Sequence, residues 1–374
     1  MCLVSLAPSA GAAPATETFW FYSSVSSTFV GPLLLRAELN YDDAALDAPI
    51  AVVMAGYSPT NGNLDGVRAQ ARRLRDRGFF SVSVAMRGRD GSAGVRDSGG
   101  LEIHDIWDAV EWVKADFASL TDATNVHITG YSGGGGNVMS AVVKLPDYFR
   151  VGASYFGMSD YGLDLIEGWY NNGAGSRTST LDQDIGNPNI GDPVVIDRYR
   201  ARASNLAANN SRATEVHLFV NDDETISPLV NHASFAQQGG SHVTNHVGQT
   251  ASPVYEDFNG NGVEDPGERQ LWPHGFPSAN QQNAAEQWYR DRLLGGQIPE
   301  PQIAPSGEFV VAGFLKTRHF EIWLGDGQDA AGRVVYSISD SSASIEVEIT
   351  SSDSSKASSV VLLKIGRASC RERV

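Results

Sequence analysis

"NVHITGYSGGGGNVMSAVV", residues Asn125 to Val143, is the stretch that decides the fold of this chain. An apolar run with strand character opens it, a helix-like run closes it, and Ser132 stands at the junction among five glycines. Glycine inside regular structure costs roughly 0.5–1 kcal/mol relative to alanine, so a cluster of five needs a physical reason. The pattern predicts a sharp strand-to-helix turn at which the backbone passes very close to its neighbours.

The turn itself has the form G-x-S-x-G, from Gly130 to Gly134. This pattern is typical of the nucleophile elbow, a strained turn that lifts a serine above the carboxyl end of a sheet. The helix that follows supplies N–H groups and the positive end of a dipole. We therefore predict that Ser132 is a nucleophile and that the N–H of Gly133 contributes to an oxyanion hole.

The regions on both sides alternate between strand-like and helix-like segments. Continuous apolar runs such as "IAVVMAGY", Ile50 to Tyr57, are typical of strands that are covered on both faces. Amphipathic runs such as "LDGVRAQARRLRDRG", which ends at Gly78, are typical of helices. The alternation predicts an α/β fold, a mostly parallel sheet with helices on both faces, preceded by two antiparallel strands.

The elbow and the segment "VAMRGRDGSAG", Val84 to Gly94, together resemble the α/β-hydrolase superfamily. Within it the chain is similar to the prolyl oligopeptidase, acetyl-esterase and dienelactone-hydrolase branches, over about Ile50 to Leu294. The resemblance implies the α/β-hydrolase fold and a triad in the chain order serine, acid, histidine. Serine alone is a poor nucleophile, so this chemistry needs a base and an orienting acid.

The segment "HLFVNDDETISPL" supplies the acid that the resemblance implies, at the end of a strand. Asp223 fits best because an apolar residue, Ile226, follows it three positions later. Asp222 is the alternative, and Glu224 fits less well.

His274, in "LWPHGFPSANQQN", stands a few residues before the last amphipathic helix, where the resemblance implies the base. His246 is the alternative because it also follows the acid along the chain. An oxyanion hole needs two N–H donors. We expect the second donor, beside Gly133, from the turn after "VVMAG", at Tyr57.

A second motif, "DFNGNGVEDPGE" from Asp257 to Glu268, matches the calcium loop D-x-[DN]-x-[DN]-G-x5-E at every constrained position. Clustered hard oxygens at this spacing suit Ca²⁺, and Gly262 allows the sharp turn. We expect a structural calcium ion that braces the segment carrying His274, and no organic cofactor. The expected ligands are Asp257, Asn259, Asn261, the carbonyl of Val263, Asp265 and Glu268.

The composition narrows the class of protein. The 374 residues are 41% apolar and carry a formal net charge of −16, which favours a globular chain and disfavours nucleic acid as a partner. The sequence contains no run of about 18 apolar residues, the length that a membrane-spanning helix needs. Cys2 and Cys370 lie at opposite ends, so no disulfide framework is expected.

Changes in composition and in residue pattern along the sequence divide the chain into a large catalytic domain and smaller parts. An A-x-A-like site near Ala13 to Ala15 resembles the end of a secretory signal, so we expect a secreted or periplasmic protein. A connection of more than fifty residues, at about 158–214, is expected to form a cap over the site. The expected boundaries are 1–16 for the signal remnant, 17–298 for the catalytic domain, 306–352 for a small β-rich module and 353–374 for a Ser-rich, non-native tail.

Three functions fit these features. The leading prediction is a secreted serine hydrolase that cleaves small or polymeric carboxylic esters, including polyesters, through an acyl-enzyme. A serine peptidase of the prolyl oligopeptidase type is the alternative, and a catalytically idle binding protein on the same scaffold is the third. Because serine, acid and histidine occur in the order that the resemblance implies, the sequence favours an enzyme.

Overall fold

A computed structural model describes residues 13–25, 32–57, 64–161, 176–221, 229–248, 254–255, 270–271, 279–295, 298–339, 342–351, 355–363 and 372–373. These residues form a central sheet of eight strands, a short two-stranded ribbon and a C-terminal sheet of seven strands. None of the helices in these ranges combines the length and the apolar character that crossing a membrane requires.

The central sheet is mostly parallel, as the alternation of strands and helices predicts. Its strands are β1 Pro14–Tyr22, β2 Leu34–Asp42, β3 Ala48–Met54, β4 Phe80–Val84, β5 Thr121–Tyr131, β6 Val151–Tyr155, β7 Glu215–Asn221 and β8 Val243–Gly248. They lie in the order β1-β2-β4-β3-β5-β6-β7-β8, which is the α/β-hydrolase arrangement. The first two strands are antiparallel to their neighbours, and the other six run parallel to one another.

Helices cover both faces of this sheet. They are α1 Leu64–Arg75, α2 Glu102–Asp116, α3 Gly133–Lys144, α4 Ser176–Asp184, α5 Pro193–Arg200, α6 Leu229–Gly239 and α7 Ala279–Leu294, with 3₁₀ helices at Pro188–Ile190 and Ser204–Ala213. Alternate residues of β3 enter two different cores, one with α2 and α3 and the other with α1 and α7. A strand that is buried on both faces must be apolar at every position, which explains the continuous apolar run at Ile50.

The segment expected to form a cap contains α4, α5 and both 3₁₀ helices. Its buried side chains make an apolar cluster of their own, including Met158, Tyr161, Leu181 and Tyr199. Tyr57, in the loop after β3, packs against this cluster. The segment therefore lies against the loop at the carboxyl end of the sheet, where the elbow also lies.

Two elements near the sheet edge, α6 and β8, were not expected from the sequence. The strand β8 has the polar sequence "VTNHVG" and, among the described strands, pairs with β7 alone. Val243 is buried, but Thr244 and Val247 are exposed, so β8 lacks the buried apolar run that identifies the inner strands.

The C-terminal sheet confirms the expectation of a small β-rich part. Its strands are β11 Ser306–Ala312, β12 Phe314–Lys316, β13 Phe320–Leu324, β14 Ala331–Ile338, β15 Ala343–Thr350, β16 Ser358–Leu362 and β17 Glu372–Arg373; the ribbon consists of β9 Val254–Tyr255 and β10 Gln270–Leu271. Because β16 pairs with β13 along its whole length, the sheet continues to Leu362, past the expected boundary at residue 352. Likewise β1 begins at Pro14, inside the expected signal remnant at 1–16.

The C-terminal sheet docks onto the catalytic domain through specific polar contacts. The Asn210 side chain accepts from the Val310 N–H at 3.1 Å and donates to the Val310 carbonyl at 2.6 Å. Asp147 accepts from the Arg318 N–H at 3.0 Å, and buried His104 lies 3.2 Å from Glu321. Because Asn210 satisfies both backbone groups of Val310, it acts like one more residue of a strand.

Replacing Asn210 with alanine is expected to loosen this docking. The change leaves the partly buried N–H and carbonyl of Val310 without these partners, so the free energy of unfolding should fall by about 1 kcal/mol. Urea unfolding measures the change, and Asn209→Ala is the matched control because Asn209 is an exposed neighbour in the same 3₁₀ helix. Equal stability of the two variants would contradict the docking role of Asn210.

Candidate active site

The elbow joins β5 to α3 with a single residue, Ser132, between them. Ser132 adopts φ +53° and ψ −120°, a conformation that costs a non-glycine residue of order 1–3 kcal/mol. The N–H of Ser132 donates to the Tyr155 carbonyl at 2.8 Å, and its carbonyl accepts from the Gly136 N–H at 3.0 Å. Hydrogen bonds to β6 and to α3 therefore hold the strained turn, and its half-buried serine, in place.

The glycines around Ser132 are required because α3 begins in direct contact with the ends of two strands. A Cβ atom added to Gly134 would lie 2.5 Å from the Ala55 carbonyl oxygen, and one on Gly130 would lie 2.5 Å from the Gly134 oxygen. These neighbours are backbone atoms and cannot move aside like a flexible side chain. The close approach confirms the prediction that the backbone is crowded at this turn.

The loop after β3 lies beside the elbow. A Cβ atom on Gly56 would lie 3.2 Å from the Ser132 Cβ, and one on Gly133 would collide with the Tyr57 ring. Gly133 is the first residue of α3, so its N–H has no acceptor within the helix. The structure thus brings together three of the predicted site residues, Ser132, Gly133 and Tyr57.

The Tyr57 hydroxyl is enclosed by polar groups from other elements. It lies 2.8 Å from Glu102 Oε1 at the start of α2, 2.6 Å from Asn137 Oδ1 in α3 and 2.9 Å from the Tyr161 hydroxyl. Burial is the main cause that raises the pKa of Tyr57 well above its ordinary value, so the phenol stays protonated. The hydroxyl therefore ties the loop after β3 to two helices.

The buried carboxyl group of Glu102, which contacts the Tyr57 hydroxyl, has a raised pKa. Burial raises its pKa to about 7, against the opposing effect of the Arg89 guanidinium. Glu102 Oε1 also accepts from the Gly99 N–H at 2.8 Å, and Arg89 lies 3.5 Å from Glu102 Oε2 and 2.9 Å from Asp184 Oδ2. The carboxyl group is therefore hydrogen-bonded in the interior and titrates near neutral pH.

His246, the alternative base, lies far from the elbow. The neighbouring strands place Tyr131, Tyr155, Phe219 and His246 in one row of stacked rings across β5, β6, β7 and β8. Three strand spacings separate His246 from Tyr131, or roughly 14 Å. The His246 Nε2 lies 3.1 Å from His217 Nδ1, and burial lowers the pKa of His246 to about 4. This position favours a packed histidine over a base for Ser132.

The other predicted site residues lie outside the described residues. These are the acid candidates and the base at Asp222, Asp223, Glu224 and His274, and the calcium ligands at Asp257, Asn259, Asn261, Val263, Asp265 and Glu268. Within the described ranges, no group of three or more His, Cys, Asp or Glu residues is arranged to hold a metal ion. The calcium site therefore stays a prediction.

Sequence reasoning missed the polar groups behind Tyr57, namely Glu102, Arg89 and Asn137. A signal for one of them was present, because Glu102 precedes Ile103 and Ile106 at the apolar start of α2. A charged residue among core-facing positions indicates a buried partner. The identity of that partner could not be inferred, because Tyr57 lies 45 positions earlier in the chain.

The elbow, the strand order and the loop after β3 agree with a family comparison. The sequence profile of the X-Pro dipeptidyl-peptidase family (S15 family) matches residues 34–238, more than half of the chain. The chain belongs to the X-Pro dipeptidyl-peptidase (S15) family. The matched region runs from β2 to α6 and includes Ser132, Gly133 and Tyr57, so this S15 protein is a serine hydrolase of the α/β-hydrolase fold.

Solved structures share the fold of this S15 protein at low sequence identity. Puromycin hydrolase aligns with a TM-score of 0.56 and 17% identity, over 78% of this chain and 41% of that one. The acylaminoacyl peptidase of Pyrococcus horikoshii aligns with a TM-score of 0.50 and 19% identity, over 63% and 37%. A puromycin-hydrolyzing peptidase of Mycobacterium tuberculosis aligns with a TM-score of 0.50 and 18% identity, over 76% of this chain and 40% of that one. The chain thus spans about two fifths of each relative, and no curated protein matches it in sequence.

The buried carboxyl group of Glu102 leads to a testable pH dependence. Its pKa rises from 4.5 to about 7 on folding, so the folded state binds the proton more tightly than the unfolded chain. The contribution of this group to stability is therefore greatest below about pH 4.5 and is lost as the pH rises to about 7. The melting temperature of Glu102→Gln, relative to the native protein, should rise across this window. A constant difference from pH 4.5 to 8 would contradict the raised pKa.

Proposed function

We propose that this S15 protein is a secreted serine hydrolase that cleaves carboxylic acyl bonds through an acyl-enzyme on Ser132. The observation that carries the proposal is the strained elbow, which holds Ser132 at φ +53° next to the N–H of Gly133. Strain at a single serine between a buried strand and a helix is a cost without benefit to stability. It is consistent with a hydroxyl group held for reaction.

Peptide bonds are the first candidate for the substrate. The family is named for an X-Pro dipeptidyl-peptidase, and relatives of the same fold are named as peptidases. Carboxylic esters, including polyesters, are the second candidate, supported by the resemblance of the elbow and of "VAMRGRDGSAG" to acetyl-esterases. Both reactions form the same acyl-enzyme and differ only in whether an amine or an alcohol leaves.

The proposed mechanism assigns each step to residues of this chain. The Ser132 hydroxyl attacks the carbonyl carbon while His274 takes its proton, and Asp223 holds the imidazole in the required tautomer. The N–H groups of Gly133 and Tyr57 stabilise the oxyanion of the tetrahedral intermediate. The leaving amine or alcohol takes the proton from His274. Water, activated by the same base, then releases the acid and restores Ser132.

Replacing Ser132 with alanine is expected to reduce hydrolysis by about 10³-fold or more and to abolish labelling by a fluorophosphonate. The measurement is turnover on a panel of short peptides, among them X-Pro peptides, and p-nitrophenyl esters, together with mass spectrometry of the labelled protein. Ser140→Ala is the matched control, because Ser140 is a fully buried serine of α3, the helix that follows Ser132. Labelling of the Ser132→Ala protein, or its near-native turnover, would refute the assignment of the nucleophile.

The same panel separates the remaining choices. Higher kcat/KM on X-Pro peptides than on esters supports a peptidase, and the reverse supports an esterase. His274→Ala should lose turnover, more severely than Asp223→Asn. Loss of turnover in His246→Ala with full activity in His274→Ala would reverse the proposed base. A native protein that neither labels nor turns over any member would support the idle scaffold.

Calcium is proposed as a structural ion at the loop from Asp257 to Glu268, in keeping with a secreted protein. Binding to the native state alone should add about 2.7 kcal/mol of stability when free calcium is a hundred times its dissociation constant. Chelation should therefore lower the melting temperature and reduce turnover, because the loop ends shortly before His274. Added calcium should restore both, and Glu268→Gln should reproduce the chelated state.

Thermal melting and turnover are measured in a chelator, with and without calcium added back. An unchanged melting temperature would mean that the loop is an ordinary polar turn. Unchanged melting with a complete, calcium-specific loss of turnover would instead assign the ion to the chemistry.

A further inference from the structure

A cleft of about 390 Å³ lies between the catalytic domain and the C-terminal sheet. One wall consists of α2 and the segment after α3, and the other includes the end of β12 and the turn that follows it. Pockets that bind small molecules commonly measure roughly 300–1,000 Å³ and often lie between domains, so the size and the place fit a small ligand. We call this cleft the interdomain pocket; its charged lining residues are Glu111, Lys114, Asp147, Glu300, Lys316 and Arg318.

One face of α2 supplies aromatic and charged side chains to this pocket. Trp107, Glu111 and Lys114 follow one another at intervals of four and three residues, so they lie on the same side of the helix. The Lys114 ammonium lies 4.3 Å from the centre of the Tyr148 ring and 2.8 Å from Glu111 Oε1. The Lys316 ammonium lies 4.0 Å from the centre of the Trp107 ring. Attraction to the rings therefore holds both ammonium groups at defined positions.

Asp147 brings a buried negative charge to the same pocket. The residue is 2% exposed, and its carboxylate accepts from the Arg318 N–H at 3.0 Å. Among the described residues, no cationic side chain forms an ion pair with Asp147. Burial raises the pKa of Asp147, and burial lowers the pKa of Lys114 despite the nearby Glu111. Both directions mean that the surroundings do not fully compensate the charged form of either group.

We propose that the interdomain pocket binds a small zwitterion of the amino-acid or dipeptide class. The ammonium group of this ligand binds at Asp147, and its carboxylate binds at Lys114. A simple anion would lie beside three carboxylates of the lining, and a simple cation would lie beside three cationic side chains. Leu145 and Leu363 add apolar surface that suits the aliphatic atoms of such a ligand. A ligand with both charges therefore matches the lining better than an ion of either sign.

The interdomain pocket is separate from the proposed active site. The helix α3 begins beside the elbow at Gly133 and ends at Lys144, and its 12 residues span roughly 18 Å. Leu145 and Asp147, which line the pocket, follow the end of this helix. A ligand at Asp147 therefore does not contact Ser132, and its binding does not depend on the reaction proposed for that serine.

The experiment uses alanylalanine, a dipeptide whose two charges can be removed one at a time. Isothermal titration calorimetry on the full-length Ser132→Ala protein, which lacks the proposed nucleophile, compares alanylalanine with its N-acetyl derivative and with its C-terminal amide. The free dipeptide should bind. Each blocked derivative should bind about 10-fold or more weakly, because it loses the charge that pairs with one side of the pocket.

Two further substitutions, made in the same protein, assign each charge of the ligand to its partner. Asp147→Asn keeps an oxygen for the Arg318 N–H, and with it alanylalanine and its N-acetyl derivative should bind alike. Lys114→Met keeps an unbranched side chain of similar length, and with it alanylalanine and its amide should bind alike. Lys356→Met is the matched control, because Lys356 pairs with Asp329 and does not line the pocket. The control should leave all three affinities unchanged.

Three results would overturn the inference. If alanylalanine does not bind at millimolar concentration, the charged residues of the pocket only join the two parts of the chain. If the free dipeptide and both blocked derivatives bind equally, the ligand is not recognised as a zwitterion. If Asp147→Asn and Lys114→Met bind alanylalanine as tightly as Lys356→Met does, the dipeptide binds elsewhere on the protein. The melting temperature of each variant without ligand shows that it is folded, and either pocket variant alone suffices for the comparison.

Discussion

The contact between the first turn of α3 and the carboxyl ends of β3 and β6 is the constraint on which the rest of the site depends. Backbone packs on backbone at Gly134, and the Ser132 N–H is bonded to the last residue of β6. No side chain fits between these elements, so the sequence must place glycine there whatever its cost to the helix. The positive φ of Ser132 follows from the same closeness, because the chain must reverse within one residue.

Buried charged side chains near the elbow connect the start of α2 to the C-terminal sheet. The Arg202 guanidinium donates to the Ser98 carbonyl at 2.9 Å and to the Gln328 carbonyl at 3.1 Å, and it pairs with Asp97. Asp97 in turn accepts from the N–H of Leu101, the residue before α2. The C-terminal sheet therefore contacts, through Gln328 and Arg202, the groups that position the start of α2. This contact gives the sheet a physical connection to Glu102 that its place at the end of the sequence does not suggest.

Local patterns predicted the central fold well because each reports a constraint within a few residues. Strand-like apolar segments that alternate with helix-like ones identified β3 to β7, and the elbow glycines identified the start of α3. The edge strand β8 was missed because its sequence, "VTNHVG", mixes polar and apolar residues and contains no apolar run. The strand β16, "SSVVL", lies in the Ser-rich segment at 353–374, which the sequence analysis excludes from the fold. Its pairing with β13 depends on a partner more than thirty residues away, and pairing partners of this kind leave no local mark.

The sequence by itself determined the class of chemistry: a serine at a strand-to-helix turn, an amide donor after it and a parallel sheet beneath. These properties follow from short-range sterics, which act on residues that are adjacent along the chain. Only the tertiary structure decided what surrounds Tyr57 and where His246 lies. The groups at the Tyr57 hydroxyl come from positions 45 and 80 residues further along the chain, and His246 is carried away from the elbow by the strand order. Such contacts depend on how the layers pack, because a residue pattern encodes which face is buried but not which partner it meets.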